Sequence, residues 1–246
     1  YVVDCGPGVV RRMAEAMQKG VKGIAPTAVR TLFITHLHSD HTVGYPDIIF
    51  TPAVVGRKGA LEVYGPVGLN DMTAAVLKAW EKDVDIRLHG LEKGNAAAYV
   101  VHPHEIAPGV VFHDANVTVT AFLVKHGTWD EAFGYRFDTG DRSIVVSGDT
   151  APAESVVKAC HGCDVLVHEV YPVAGWLKQP VEDREYYVKF HTSTVELAKV
   201  ATEAKAKKLV LTHVLWFGMK PEDVVGEMRK AGYTGEIVVA NDLDVF

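Results

Sequence analysis

Four side chains that commonly bind metal ions fall within six positions of one short segment, residues 35–41. They are His36, His38, Asp40 and His41. The first two histidines are two positions apart, so on extended backbone their imidazoles point to the same side. Gly44 and Pro46 follow closely, and we therefore predict that the later two ligands lie in a loop. Imidazole and carboxylate suit Zn²⁺, so the segment predicts a metal site.

Three further candidate ligands each follow an apolar run that is typical of a buried strand. They are His126 after residues 117–124, Asp149 after 143–147, and His213 after 208–212. One tetrahedral ion cannot use all seven ligands, whereas two ions can, with a carboxylate and a hydroxide between them. We assign the first ion to His36, His38 and His126, and the second to Asp40, His41 and His213. Asp149 would bridge two divalent ions, Zn²⁺ in our prediction, although such ligands also accept Mn²⁺ and Fe²⁺.

The elements that must position these ligands alternate between strand and helix patterns. Further strands are predicted at 28–35 and 164–167, and a hairpin at 134–146 with its turn at 139–141. Helices are predicted at 9–19, 69–82, 153–159, 194–206 and 221–231. The pattern indicates a mixed α/β domain with β layers inside and helices outside, and the polar strand ends would share one rim.

Composition limits the classes of protein that fit. The chain has 246 residues, 48% of them hydrophobic, and a formal net charge of −6, so it shows no basic excess of the kind that indicates nucleic-acid binding. No apolar run approaches the roughly 18 residues of a membrane span. The sequence starts inside an apolar strand at Tyr1, and we expect that upstream residues are missing. Cys160 and Cys163 have redox-motif spacing but fall between a helix and a strand, which favours small packing residues.

An ordered set of motifs resembles the metallo-β-lactamase superfamily. The set is THLHSDH at 35–41, KHG at 125–127, SGDT at 147–150, HE at 168–169 and LTH at 211–213, preceded by DCGPG at 4–8. The resemblance covers nearly the whole chain. It implies a four-layer αβ/βα sandwich of two packed sheets with the metals at one edge. It also implies that the N-terminal strand or strands would precede Tyr1. We expect a single metallo-hydrolase domain over residues 1–246, with residues 67–108 as an insertion.

Two longer segments resemble the branch that contains tRNase Z and arylsulfatases. They are VLVHEVY at 165–171 and FHTSTVELAKVA at 190–201. The resemblance implies that Glu169 and His191 assist proton delivery to the leaving group. Alternatively, Glu169 could orient a ligand histidine, and His191 could cap the following helix. We interpret His168 as structural.

One departure from tRNase Z concerns the substrate. The resemblance to tRNase Z implies a long tRNA-clamping arm between the third metal-binding histidine and the bridging aspartate. Here only 23 positions separate His126 from Asp149, and the hairpin fills most of them, so there is no room for the arm. We therefore expect a small-molecule ester substrate, nucleic acid being unlikely, and no membrane partner. Residues 67–108 would wall the pocket or form the contact of a homodimer. His102 and His104 repeat the His-x-His spacing without a following Asp-His, and we interpret them as surface residues.

The function that these residues favour is a dinuclear metal-dependent hydrolase of the phosphodiesterase or arylsulfatase type. A metal-bridging hydroxide would attack, with Asp40 orienting the water and accepting its proton. The alternative is a lactone or thioester hydrolase, in which Trp129, Phe133 and Tyr135 line an acyl pocket, unless they are core residues of the hairpin. A β-lactamase is disfavoured because the bridging Asp149 is typical of other branches. The hypothesis of a non-catalytic sensor is weakened because such proteins usually lack at least one metal ligand, whereas the ligand set here is complete.

Overall fold

The protein, described here over residues 1–246 by a computed structural model, forms two compact units. The first comprises residues 1–106 with Val245, and the second comprises residues 107–244 with Phe246. Each unit has its own β-sheet and its own set of helices. These are the sheet and helix layers of the expected mixed α/β fold, which is confirmed. The single domain over 1–246 and the insertion at 67–108 stay predictions.

The first unit contains a four-stranded parallel sheet with strand order β1-β2-β3-β4. Its strands are β1 (Val2–Val3), β2 (Thr31–Phe33), β3 (Leu61–Gly65) and β4 (Val101–Glu105). Its helices are α1 (Val9–Gln18), α2 (Ser39–Thr42), α3 (Tyr45–Val54), α4 (Leu69–Ala79) and α5 (Glu81–His89). Short 3₁₀ turns lie at Pro26–Ala28 and Ala96–Tyr99. Parallel strands bring their carboxyl ends to one edge of a sheet, which is where residues 35–41 follow β2.

The core of the first unit lies between one face of the sheet and its helices. Along β3, Leu61, Val63 and Gly65 are buried while Glu62 and Tyr64 are partly exposed, the alternation of a strand with one face packed. Val10 and Met13 of α1 belong to the same core. They are three positions apart and therefore lie on the same face of the helix. Arg57 is fully buried in the same region, and its guanidinium donates to the carbonyls of Ile48, Ile49 and Ala98.

The second unit contains a seven-stranded mixed sheet with strand order β11-β10-β9-β8-β7-β6-β5. Its strands are β5 (Gly109–His113), β6 (Val117–Leu123), β7 (Phe133–Thr139), β8 (Ser143–Val146), β9 (Val165–Val170), β10 (Lys208–Val214) and β11 (Glu236–Val239). Its helices are α6 (Glu154–Cys160), α7 (Val173–Trp176), α8 (Val181–Phe190), α9 (Thr194–Ala204) and α10 (Pro221–Lys230). Strands β8 to β11 are parallel, and β5 to β8 are antiparallel, which includes the predicted hairpin.

Three local predictions were wrong. The loop predicted at Asp40 and His41 is the short helix α2, and Pro46 lies in the first turn of α3, where a missing N–H costs no hydrogen bond. The helix predicted over residues 69–82 is two helices that meet at Trp80. Cys160 and Cys163 are buried as expected, but they form a disulfide across the end of α6.

Glu227 of α10 accepts hydrogen bonds from the first residues of both α7 and α9. Its carboxylate accepts hydrogen bonds from the amides of Val173 and Ala174, at 2.7 and 2.8 Å, at the start of α7. It also accepts from the hydroxyl of Thr194 at the start of α9. The loop before α9, which carries His191, is therefore fastened to the C-terminal helix. None of the helices has the length and hydropathy that crossing a bilayer requires.

Candidate functional site

The two histidines of the His-x-His pair follow strand β2 and lie side by side. The Nε2 atom of His36 is 2.9 Å from the Nδ1 atom of His38, and the ring centroids are 4.7 Å apart. His36 is fully buried. Its Nδ1 lies 3.0 Å from the Thr35 hydroxyl, whose hydrogen is directed to Asp4. That hydroxyl therefore accepts a hydrogen bond from His36 Nδ1, so the proton is on Nδ1 and the lone pair is on Nε2.

The second half of the segment, on α2, is oriented by the same carboxylate. The Nδ1 atom of His41 lies 2.8 Å from an oxygen of Asp4, so this nitrogen carries the proton and Nε2 carries the lone pair. His41 is buried, and its ring centroid is 4.2 Å from that of His36. Asp40 is mostly exposed, with its Oδ2 atom 3.6 Å from His41 Nε2. The first unit thus gathers His36, His38, Asp40 and His41 into one cluster.

Asp4 is a functional candidate that the sequence interpretation missed. It follows β1 and accepts hydrogen bonds from the Thr35 amide at 2.8 Å, the Thr35 hydroxyl at 2.9 Å and His41. A carboxylate behind a histidine ligand fixes its ring and raises its basicity. The sequence does contain a sign of this role, because Asp4 follows an apolar run as Asp149 does. However, Asp4 lies 31 positions before Thr35, so its contact with the ligand segment could not be inferred from spacing.

His126 follows strand β6 in the second unit and is buried. Its Nδ1 atom lies 2.8 Å from the backbone carbonyl of Phe190, so the proton is on Nδ1 and the lone pair is on Nε2. A backbone bridge between Lys125 and Ala151 holds the residue before His126 against the segment that follows Asp149. One possible ligand atom each of His126, Asp149 and His191 lies within 4.8 Å of the others.

Asp149 and His213 are also close to each other. Their Oδ2 and Nε2 atoms are 3.5 Å apart, and Asp149 is almost fully buried. His213 lies near the end of β10, where the pairing with β9 shifts its register between Leu211 and Val214. Its φ of 45° is in the left-handed region, which is unusual for a histidine and typical of bulged or functional positions. The bulge sets the direction in which this imidazole leaves the strand.

Glu169 and His191 form a buried pair beside Asp149. Glu169 Oε2 and Asp149 Oδ2 lie 3.5 and 3.9 Å from the Nδ1 atom of His191. The Oε1 atom of Glu169 accepts from the amide of Thr192 at 2.8 Å and from that of Thr150 at 3.4 Å. Burial, reinforced by the Asp149 charge, raises the pKa of Glu169 well above its usual range.

The donor set of the two clusters fits divalent metal ions. In His36, His41 and His126 an acceptor holds the Nδ1 proton, so each ring offers its Nε2 lone pair, as a neutral ligand must. The remaining donors are imidazoles and carboxylates. Such a set suits Zn²⁺, Mn²⁺ or Fe²⁺.

Other residues singled out from the sequence lie elsewhere or have other roles. His168 is fully buried, its Nδ1 donates to the Glu169 carbonyl, and burial lowers its pKa to about 4. His102 and His104 lie on β4, the edge strand of the first sheet. Each is 2.7 Å from a different carboxylate oxygen of Glu62 on the neighbouring strand β3. Both are partly exposed, in keeping with the surface interpretation.

The aromatic residues proposed for an acyl pocket are mainly core residues. Phe133 and Tyr135 have no exposed surface, whereas Trp129 is partly exposed. A fully buried ring cannot line a pocket that a substrate enters. The alternative interpretation, that these residues form the hairpin core, therefore fits Phe133 and Tyr135.

Comparison with known proteins agrees with this geometry. The family described as Beta-lactamase superfamily domain matches residues 1–214. A ribonuclease Z of Mycobacterium bovis (strain BCG / Pasteur 1173P2) is 29% identical over 248 residues, covering 99% of this chain and 86% of the relative. A ribonuclease Z of Mycobacterium sp. (strain KMS) is 32% identical over 217 residues, covering 87% of this chain and 74% of the relative.

Among solved structures, the short form of human tRNase Z has the same fold. It superposes with a TM-score of 0.67 at 23% identity and covers 98% of this chain and 85% of that structure. The family match extends across both units and includes the motif at 35–41 and the strand ends at His126, Asp149 and His213. The chain therefore belongs to the metallo-β-lactamase superfamily and is a metal-dependent hydrolase of that family.

Proposed function

We propose that this protein is a metal-dependent phosphodiesterase that cleaves a phosphodiester bond of RNA. The observation that carries the proposal is the buried pair of Glu169 and His191 beside Asp149, with distances of 3.5 and 3.9 Å from the histidine Nδ1. An alkoxide leaves phosphorus poorly unless it receives a proton, and this pair can hold one at a fixed position. The ribonuclease Z relatives support phosphodiester cleavage as the reaction.

The proposal keeps the dinuclear metal centre that the sequence motifs predict. His36, His38 and His126 would hold one ion, Asp40, His41 and His213 the other, and Asp149 both. When bound, two divalent cations supply Lewis acidity that activates water and neutralises charge on the phosphate oxygens. Asp4 and the Phe190 carbonyl keep the ring nitrogens of His41 and His126 in the ligating tautomer.

The proton transfers in this proposal belong to residues of the chain. Asp40, whose carboxylate is mostly exposed and 3.6 Å from His41 Nε2, would accept the proton of the attacking water. His191 would donate a proton to the departing oxygen. Glu169, fixed by the amides of Thr192 and Thr150, would keep the His191 ring in place. Glu169 is thus a positioning residue rather than the donor.

The relatives weigh against our expectation that nucleic acid is an unlikely substrate. That expectation used the missing arm between His126 and Asp149. However, the ribonuclease Z of M. bovis aligns over 248 positions with 99% of this chain, so the matched region contains few insertions. The lack of an arm therefore does not distinguish this chain from a relative with that name. A net charge of −6 still favours few phosphate contacts, as at the end of a short single strand.

The other candidate activities have less support. No relative reported above has a name that refers to sulfate esters, lactones or β-lactams. The acyl-pocket hypothesis is weakened because Phe133 and Tyr135 are fully buried and therefore cannot contact a substrate. A non-catalytic sensor would be expected to lack at least one ligand, yet every candidate ligand is present in the sequence.

A substrate panel tests the reaction class. The protein loaded with Zn²⁺ or Mn²⁺ is assayed with bis-p-nitrophenyl phosphate, an oligoribonucleotide, p-nitrophenyl sulfate, an acyl-homoserine lactone and a cephalosporin. We expect turnover of the two phosphodiesters and loss of that turnover after chelation. Fast cleavage of the sulfate, lactone or cephalosporin without phosphodiester cleavage would overturn the proposal.

The role of His191 can be tested with two leaving groups. His191→Ala should slow the oligoribonucleotide, which releases an alkoxide, by about 100-fold or more, and bis-p-nitrophenyl phosphate much less. The reason is that p-nitrophenolate departs without a proton. His89→Ala, on exposed α5, is the matched control. Equal losses for both substrates would contradict the role of proton donor and indicate instead a general defect of the site.

A further inference from the structure

Helix α8 differs from the other long helices of its unit because none of its side chains is buried. Nevertheless it carries three aromatic residues, Tyr186, Tyr187 and Phe190. Tyr186 and Phe190 are four positions apart and thus on the same side of the helix. Their rings are stacked with centroids 4.4 Å apart and planes 26° apart, and Tyr186 is 45% exposed. Large aromatic surface in water calls for an explanation other than core packing.

The stacked pair adjoins the candidate site. The ring of Phe190 meets His126 edge to face with centroids 4.9 Å apart, and the ring of Tyr186 lies 6.1 Å from that of His191. Gly127 makes the approach of Phe190 possible, because a Cβ atom at this position would lie 2.0 Å from the ring. Its φ of 57° also favours glycine. The packing therefore holds Tyr186, which is 45% exposed, close to the group proposed as proton donor.

We propose that Tyr186, backed by Phe190, is a stacking platform for a nucleobase of the substrate. The inference rests on the proposed function and narrows the substrate to phosphodiesters that carry a base beside the bond that is cleaved. Planar bases stack on tyrosine rings without regard to sequence, and single-stranded RNA exposes its bases for such contacts. A ring beside His191 can bind a base attached to the same phosphate, whereas a protein partner would need a wider apolar surface.

The charges of α8 argue against a protein partner, which would need a wider apolar surface. The helix surface is strongly charged, with Glu182, Asp183, Arg184, Glu185 and Lys189 among its ten residues. Lys189 pairs with Glu185 at 2.6 Å next to the aromatic pair. Exposed Lys125 precedes His126 and supplies positive charge for a phosphate. A base stacked on one ring requires only the small apolar area that is present.

The test compares the affinity for a nucleotide with and without its base. Equilibrium binding of adenosine monophosphate and of ribose 5-phosphate is measured by calorimetry on the Zn²⁺-loaded protein. We expect adenosine monophosphate to bind about tenfold more tightly in the wild-type protein. Tyr186→Ala should abolish this preference and leave the ribose 5-phosphate affinity unchanged, which also shows that the variant is folded. Tyr186→Phe should retain the preference because the ring remains.

The control is Trp80→Ala, which removes an aromatic side chain of similar exposure, 40%, from the first unit and should leave the preference intact. An absent preference in the wild-type protein, or an unchanged preference in Tyr186→Ala, would overturn the platform. A Tyr186→Ala variant that changes sedimentation rather than nucleotide affinity would overturn it in favour of a protein interface. Failure to hydrolyse bis-p-nitrophenyl phosphate would instead count against the proposed function, since the binding ratio needs no turnover.

Discussion

Asp4 accepts a hydrogen bond from His41 Nδ1 at 2.8 Å, although the two residues are 37 positions apart in the chain. The same carboxylate reaches His36 through the hydroxyl of Thr35. One acidic side chain at the end of a two-residue strand thus fixes the tautomers of two candidate metal ligands. The carboxyl edge of the parallel sheet brings these residues together, which is the link between the fold of the first unit and its chemistry.

The Asp4→Asn variant should bind metal more weakly. The amide cannot support the basicity of His41 as a carboxylate does, so we expect a loss of about 10- to 100-fold in metal affinity. Competition with a chromophoric chelator measures it. Asp71→Asn, an exposed residue in the first turn of α4, is the control. A metal affinity equal to that of the wild-type protein would show that Asp4 only holds the backbone at Thr35 and does not support the ligand histidines.

The Glu169→Gln variant should separate catalysis from metal binding. Its amide oxygen can still accept from the Thr192 amide, but an NH₂ group then replaces the carboxyl oxygen that lies 3.5 Å from His191 Nδ1. We expect kcat for an oligoribonucleotide to fall by about 100-fold with the metal content unchanged. Glu154→Gln, at the exposed start of α6, should have no effect on kcat. Loss of metal in Glu169→Gln would instead favour the alternative role of orienting a ligand.

Arg57 should be a major determinant of stability in the first unit. Removal of its buried guanidinium leaves the carbonyls of Ile48, Ile49 and Ala98 without their donor. We expect Arg57→Ala to lower the free energy of unfolding by at least about 3 kcal/mol, and Arg57→Lys by less. Urea denaturation followed by circular dichroism measures both. Arg11→Ala, at an exposed position of α1, should change the free energy of unfolding little, and a similarly small effect for Arg57→Ala would contradict this prediction.

Asp164 should contribute to stability in a pH-dependent way. A hydrogen bond from Lys207, with others from the amide and hydroxyl of Ser143, lowers the pKa of this carboxyl to about 2. Because its folded pKa is depressed, its contribution is complete above its ordinary pKa of 3.8 and declines as the pH falls from there through 2. The stability difference between the wild-type protein and Asp164→Asn should therefore shrink over that range.

Urea denaturation of both proteins between about pH 6 and about pH 2 tests this dependence. Asp183→Asn, an exposed change on α8, provides the baseline for a carboxylate without these partners. A difference between wild-type and Asp164→Asn that stays constant with pH would rule out the proposed contribution.

The strand-end pattern allowed much of the fold to be predicted from the sequence. Apolar runs followed by His126 and Asp149 correspond to β6 and β8, because a strand buried on one or both faces needs such runs. Helix α8 was not predicted, since its charged and aromatic residues show no apolar face, and it buries none. Periodicity identifies only those helices that pack against a core.

Several features of the candidate site depend on contacts that no local pattern reports. The pairing of Asp4 with His41 joins residues that are distant in the chain. The positive φ of His213 results from the register shift between β9 and β10. The disulfide between Cys160 and Cys163 was missed because spacing alone does not distinguish bonded from merely buried cysteines.

The contacts of Glu227 have a consequence for how the functional part of the protein is delimited. The family match stops at residue 214, yet this carboxylate on α10 secures Thr194 and the start of α7 on either side of the loop that carries His191. A truncation at residue 214 would preserve each signature residue but remove the helix that anchors the loop of His191, the proposed proton donor. The catalytic unit thus extends past its recognisable motifs, into a helix that contributes support rather than chemistry.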